Sequence, residues 1–237
     1  AVALTDYSNM YGVIEFYNSC KKSGVKPIIG VEFDIHYKER KFKIVLLAKN
    51  ILGYKNLMRI TSLVNTANPL NPLLTDDILL EYSEGLIALS GGIWGDISTL
   101  ITVDQQEALN RLSFYRKIFG SDYYLEVNPQ SSIEDAEMLS KTVHLAEQTN
   151  TELVATWNPH YLQESDKQAH RILYLVHGDE HSIDEYNHLF LKDSFAFSAE
   201  KYPESIFSNI PRAVENTLKI AEMCTVEIPL GQWVFPA

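Results

Sequence analysis

Three short apolar runs, each leading into a stretch of helical period, constrain this chain more than any other feature. They are "GLIALS", "YYLEV" and "TELVATW". A strand wet on one face alternates apolar and polar residues. These barely alternate, so both faces need cover, as in a parallel sheet flanked by helices. The helices between them carry their own signals. Asp104 with Glu107 opens one through Ala108, Leu112, Tyr115 and Phe119, which Gly120 ends. Ser131 with Glu134 forms a capping-box pattern ahead of Leu139, Val143 and Ala146. Ser165 starts another, with Ala169, Ile172 and Val176 on one face. "FLKDS" and a helix with Pro211 in its first turn, through Val214, Leu218 and Ala221, complete the alternation. The pattern predicts a parallel α/β sheet or barrel in a single domain.

The N-terminal half adds a different unit. Ala1–Thr5 reads as a strand, and Asp6-Tyr7-Ser8-Asn9 as the capping punctuation of a helix through Met10, Val13, Ile14, Tyr17 and Cys20. Lys21-Lys22 and Gly24 close that helix. "KPIIGVEFDIHY" and "KFKIVLLAKN" are two strands too close for a parallel crossover, which makes them an antiparallel hairpin. "GYKNLMRITSLV" is helical through Leu57, Ile60, Thr61 and Val64. "NPLNPLL" breaks it, and Thr75 caps a short helix.

Composition narrows the function. With 20 basic against 31 acidic residues the formal charge is −11, which argues against this chain alone gripping nucleic acid. The cluster Lys38, Arg40, Lys41 and Lys43 reads as a solvated hairpin tip. No apolar run is long enough to span a membrane, and no secretory leader is visible. Cys20 and Cys224 lack metal-ligand spacing and read as buried thiols in a reducing cytoplasm.

In α/β barrels chemistry gathers where strands end. Four such ends carry conspicuous residues: Asp6-Tyr7, Gly91-Gly92 with Trp94 and Asp96, Glu126 with Asn128, and Trp157-Asn158 with His160. Asp6 also reads as a helix cap, His160 as a loop histidine and Gly91-Gly92 as a turn. Glu32 is harder to dismiss. It shares a strand face with Gly30, Asp34 and His36, while Ile29, Val31, Phe33 and Ile35 fill the other. A carboxylate there costs several kcal/mol, to order of magnitude, unless it is paired.

Taken together, "ALTDYSNMYGVIEFYNSCKKSGVKPIIGVEF", "LLAKNILGYKNLMRITSLV", "YSEGLIALSGGIWGDI", "YYLEV", "LVATWNPHYL" and "AVENTLKIAEMCTVEIPLG" resemble, in order, the PHP (polymerase and histidinol phosphatase) domain. The matching version is that of the alpha subunit of bacterial replicative DNA polymerases. The resemblance implies an irregular seven-stranded (β/α) TIM-like barrel. It implies that residues 1–237 are one PHP domain fragment lacking the family's first strand-helix unit, with 225–237 as a junction toward the polymerase region. A gap in the barrel wall is then expected beside Ala1–Thr5.

Active members of the family hold metal ions with His and carboxylate ligands and act as 3′–5′ exonucleases or phosphoesterases. Carried over position by position, the ligand set is degraded. The histidine of the family's "TDH" is Tyr7, the glutamate of "GxE" is Glu32, and a histidine opening the next strand is Lys43. The cysteine of "SGCLGGE" is Gly92, the aspartate of "NDVH" is Asn158, and its histidine is His160. Only Glu32 and His160 keep the family's residue. An ammonium where a cation should sit opposes metal binding. The resemblance therefore implies a silent domain with no metal, no catalytic residue and no cofactor. Its partners would be the rest of the polymerase alpha subunit and a proofreading exonuclease, with DNA met only through the whole polymerase. The alternative is an active exonuclease holding Zn or Mn through substitutes such as Asp34, His36 or Asp96, with Asp6 a further neighbour of the pocket.

Lys43 is expected to approach Glu32. A turn at Tyr37-Lys38 sets the two directly opposite. A turn at Glu39-Arg40 sets Lys43 opposite His36 instead.

Overall fold

The hub of the fold is the longest strand, β2 (Pro27–Tyr37), whose two edges carry all of the N-terminal half. The computed structural model describes residues 1–38, 40–128, 133–177, 183, 186, 195–197 and 207–231. On one edge of β2 the strand β1 (Val2–Leu4) pairs in parallel at Pro27–Ile29, Tyr7 bridges to Glu32, and the short β4 (Leu73–Leu74) pairs at Asp34–Ile35. On the other edge β3 (Arg40–Ala48) runs antiparallel, and β5 (Leu86–Leu89), β6 (Tyr123–Val127) and β7 (Glu152–Ala155) follow. β5, β6 and β7 pair in parallel with one another. The result is a seven-stranded, curled half-barrel in which β3 alone is reversed. Among the described residues β1 and β7 are its open edges.

Helices cover the outer face. They are α1 (Val13–Lys22), α2 (Ile51–Ala67), α3 (Asp76–Tyr82), α4 (Asp96–Val103), α5 (Gln105–Phe119) and α6 (Ile133–Thr149). Their Val13, Tyr17, Leu57, Ile60, Leu79, Ile97, Leu112 and Leu145 pack on Ile29, Val31, Phe33, Ile35, Ile44 and Leu46. The opposite face splits in two. Its lower part is apolar, with Ile28, Val45, Leu47, Ile87, Leu89, Tyr124 and Val154 closed by Ile220 and Cys224 from the end of α8 (Pro211–Met223). Its upper part carries the polar strand ends. Both cysteines are buried free thiols.

Several boundaries differ from the sequence reading. Asp6–Asn9 does not cap α1, whose N-cap is Gly12 without a side-chain bond. Asn9 instead accepts from the Tyr11 amide at 3.1 Å, an Asx turn that spends the capping group before the helix begins. α4 was not foreseen, because "DISTLITV" is short and β-branched. The stripe Ala169, Ile172 and Val176 of α7 (Lys167–His177) faces outward, with Ile172 and Val176 exposed. His170 and Tyr174 turn toward Tyr186. In α8, Leu218 is exposed while Ala213, Asn216 and Ile220 are buried. The Ser131 cap, "FLKDS" and residues 232–237 of the junction lie outside the described residues.

Candidate functional site

The hairpin β2–β3 builds the centre of the site, in neither expected register. Tyr37 pairs with Arg40, so Lys43 stands opposite Asp34, and Glu32 opposite Val45. Lys43 still lies on Glu32's face. Its Nζ reaches Asp34 Oδ1 at 2.9 Å and, diagonally, Glu32 Oε1 at 3.2 Å. The Tyr7 ring covers the ammonium with its centroid 4.0 Å away, and the Tyr7 hydroxyl donates to Asp34 Oδ2 at 2.7 Å. Tyr7 is held there by the backbone bridge to Glu32. One cation therefore sits among two carboxylates and an aromatic face, with Asp34 buried, Lys43 and Glu32 partly buried and Tyr7 open to solvent on one side.

The electrostatics follow. Burial alone would lower the Lys43 ammonium, but Glu32 and Asp34 outweigh it and hold the group above its ordinary value. Burial first, and then the bond to Asp34, pushes the Tyr7 phenol well up, so it stays a neutral donor.

The ends of β5, β6 and β7 add a second layer. Glu126 is buried; its Oε2 accepts from the Gly91 amide at 3.0 Å and its Oε1 from the Thr156 hydroxyl. Burial, offset in part by Thr156 and reinforced by the charge of Glu32, pushes its carboxyl up to about 7. Asn128 donates to Thr156 Oγ1 at 2.9 Å and accepts from the Ile93 amide at 3.3 Å. The Gly91-Gly92 turn is thus pinned from below. Gly91 packs against the Lys43 backbone, and a Cβ on Gly92, whose φ is +56°, would collide with Asn128 Oδ1. No cysteine fits there in this conformation.

The other candidates separate. His160 lies near the centre: burial, then His170 and Lys43, lower its imidazole to about 4. Its ring stands 5.2 Å from that of His170, and its backbone N–H donates to Phe195 O. Asn158 sits two residues earlier with φ +48°. Asp6 is half-buried, its carboxyl raised by burial, and its backbone O accepts from Glu32 N. His36 is exposed at the hairpin's outer end, opposite Lys41. Asp96 is buried elsewhere, bound to Arg111 Nε at 2.7 Å and the Tyr115 hydroxyl at 2.6 Å. Sequence reasoning noted Glu126 and Asn128 at a strand end without giving them a role. Of the basic cluster read as a solvated tip, Lys38, Arg40 and Lys41 are exposed, with Lys38 on Glu107 and Lys41 on Asn71, whereas Lys43 departs from that reading and is drawn into the site. Among the described residues no three His, Cys, Asp or Glu side chains are placed to share a metal ion.

The model of the PHP domain family matches residues 1–130. Over 94% of its length the chain is 33% identical to the DNA polymerase III subunit alpha of Borreliella burgdorferi. Over its whole length it is 34% identical to that of Haemophilus influenzae and 31% to that of Escherichia coli K12. It spans 21%, about a fifth, of each of these relatives. Among the described residues no helix is long and apolar enough to cross a membrane.

Proposed function

The chain belongs to the PHP domain family, and from that premise we propose that it is the single PHP domain of a replicative DNA polymerase alpha subunit, acting in the cytoplasm as a catalytically silent platform. The observation that carries this is the place of the Lys43 ammonium, between Glu32 at 3.2 Å and Asp34 at 2.9 Å. A cation already fills the space between the carboxylates that a metal would use. The donor set does not fit the metal cluster implied by the family: Tyr7 is committed to Asp34, and Gly92 leaves no room for a thiolate. Substitute ligands are equally committed, Asp34 to Lys43 and Tyr7, and Asp96 to Arg111 and Tyr115. A domain so arranged keeps the barrel and holds an internal ion pair in place of chemistry. Its role is then to support the polymerase and to dock a separate proofreading exonuclease.

The test is metal analysis and 3′–5′ exonuclease assay of the full-length polymerase subunit. The expected result is no stoichiometric zinc or manganese and no hydrolysis stimulated by either ion. Hydrolysis that requires Zn or Mn and is abolished by Glu32→Gln with His160→Ala would overturn the reading.

A further inference from the structure

Helix α2 is unusual in this chain. Its 17 residues include Lys55 and Arg59 and no carboxylate, within a protein of formal charge −11. Among the described residues neither cation forms a salt bridge, whereas Lys21, Lys38, Lys43, Lys49, Arg111 and Arg212 do. The same outward face exposes aliphatic surface. Met58 and Leu63 are 40% and 41% exposed, and Ile51 and Leu52 extend the stripe one turn further. Lys55, Met58, Arg59, Ser62 and Leu63, with Tyr82 at the end of α3, line a shallow groove of about 440 Å³. Asn56 fixes one wall: its amide donates to Glu84 O at 2.9 Å, and its Oδ1 accepts from Arg59 at 3.5 Å.

We propose that this α2–α3 groove docks an acidic, apolar-sided peptide segment of a partner protein. The aliphatic stripe supplies a surface for an apolar helix face, the mode in which anchors spaced three and four residues apart enter a groove. Lys55 and Arg59 supply the charge complement, which selects carboxylates and speeds encounter. Nucleic acid fits less well. Two cations neutralise too few phosphates for a nucleic-acid grip. The partner rests on the docking-platform reading above; the groove and its chemistry rest on α2 itself.

The experiment measures the affinity of the full-length polymerase subunit for the proofreading exonuclease of the same organism, at low and moderate salt. Both variant sites are exposed, and thermal melts confirm folding. Lys55→Glu with Arg59→Glu is expected to weaken binding by about tenfold or more and to flatten its salt dependence. Met58→Asp with Leu63→Asp is expected to weaken it at both salt concentrations. Binding unchanged in both variants overturns the groove and leaves the platform reading standing. No binding by the parent protein overturns the platform reading and this occupant together. A labelled single-stranded oligonucleotide, bound by the parent and lost in the Lys55/Arg59 variant, overturns the peptide in favour of phosphate.

Discussion

Lys43 is a single side chain with three partners, and that sets how its removal should be read. Lys43→Met leaves Glu32 and Asp34 facing each other in a partly dry site without their cation. The expected loss is about 1–3 kcal/mol, smaller than for a fully buried pair because all three groups keep some solvent. Adding Glu32→Gln alone should recover only part, since Asp34 is the nearer partner. Adding Asp34→Asn as well should recover most. Urea melts of the three variants check this, and a single mutant as stable as the parent would contradict it. Glu126 gives a pH signature of opposite kind. Its carboxyl is raised to about 7 in the folded protein against about 4.3 unfolded. The native state therefore binds more protons between those values, and stability falls as pH rises through this window. The difference between pH 5 and pH 8 amounts to about 2–3 kcal/mol from this group. Glu126→Gln should be the more stable protein at pH 8 and should lose that part of the slope.

At the scale of elements, the outer helices depend on a clasp that sequence could not announce. Arg111 of α5 holds Asp96 of α4, forks onto Asp76 of α3 at 2.7 and 2.8 Å, and lies 4.5 Å from the Tyr37 ring. Even so, burial keeps the Asp96 carboxyl above its usual range. Arg111→Lys keeps the charge but loses the fork; it should cost about 2 kcal/mol or more in a denaturant melt, and Arg111→Ala about 3–5 kcal/mol. Arg111→Lys matching the parent would refute the clasp. Asp96 was visible as a residue near a strand end, and only its neighbours show that it serves packing. The hairpin register was hidden for a related reason. "YKERK" has no Asn-Gly or Asp-Gly to fix a turn, so several placements were open locally. Contacts from other elements, including Lys38 to Glu107 at 2.9 Å, accompany the one observed. By contrast β2, β3, α2 and α5 were legible, because their periodicity is long and their ends are marked. The Asn50 cap of α2 and the Asp104 cap of α5 each close on a backbone amide. Tyr7, Glu32, Gly92, Asn158 and His160 were legible as strand or strand-end residues, whereas their reading as former ligand positions came only from family resemblance. No local rule says that Tyr7 should lie over Lys43.

The whole molecule is closed by its C-terminal region returning to its N-terminal third, beyond the part matched by the family model. Ile220 and Cys224 complete the apolar inner face with Ile28, Val45 and Leu47. Thr225 N donates to Lys49 O at 2.8 Å, Ile228 N to the Tyr17 hydroxyl at 3.3 Å, and Lys26 to the carbonyls at the end of α8. These contacts bridge some two hundred residues of sequence, so β1, α1 and α8 should unfold with the sheet and not before it. Removing residues 211–237 would uncover the face formed by Ile28, Val45, Leu47 and Leu89. The expected product has near-native helical signal but binds a hydrophobic dye and lacks a cooperative thermal transition. A gentler probe is Ile220→Ala, which should destabilise by about 2–4 kcal/mol through the cavity it leaves. In hydrogen exchange, that variant should lose protection in β2 and β7 together, because both pack on the same side chain's cluster. If exchange in β2 matches the parent while α8 alone is released, α8 is an appendage and the barrel holds without it. Loss in both places, with a single melting transition, means that residues 1–130 and α8 fold as one body.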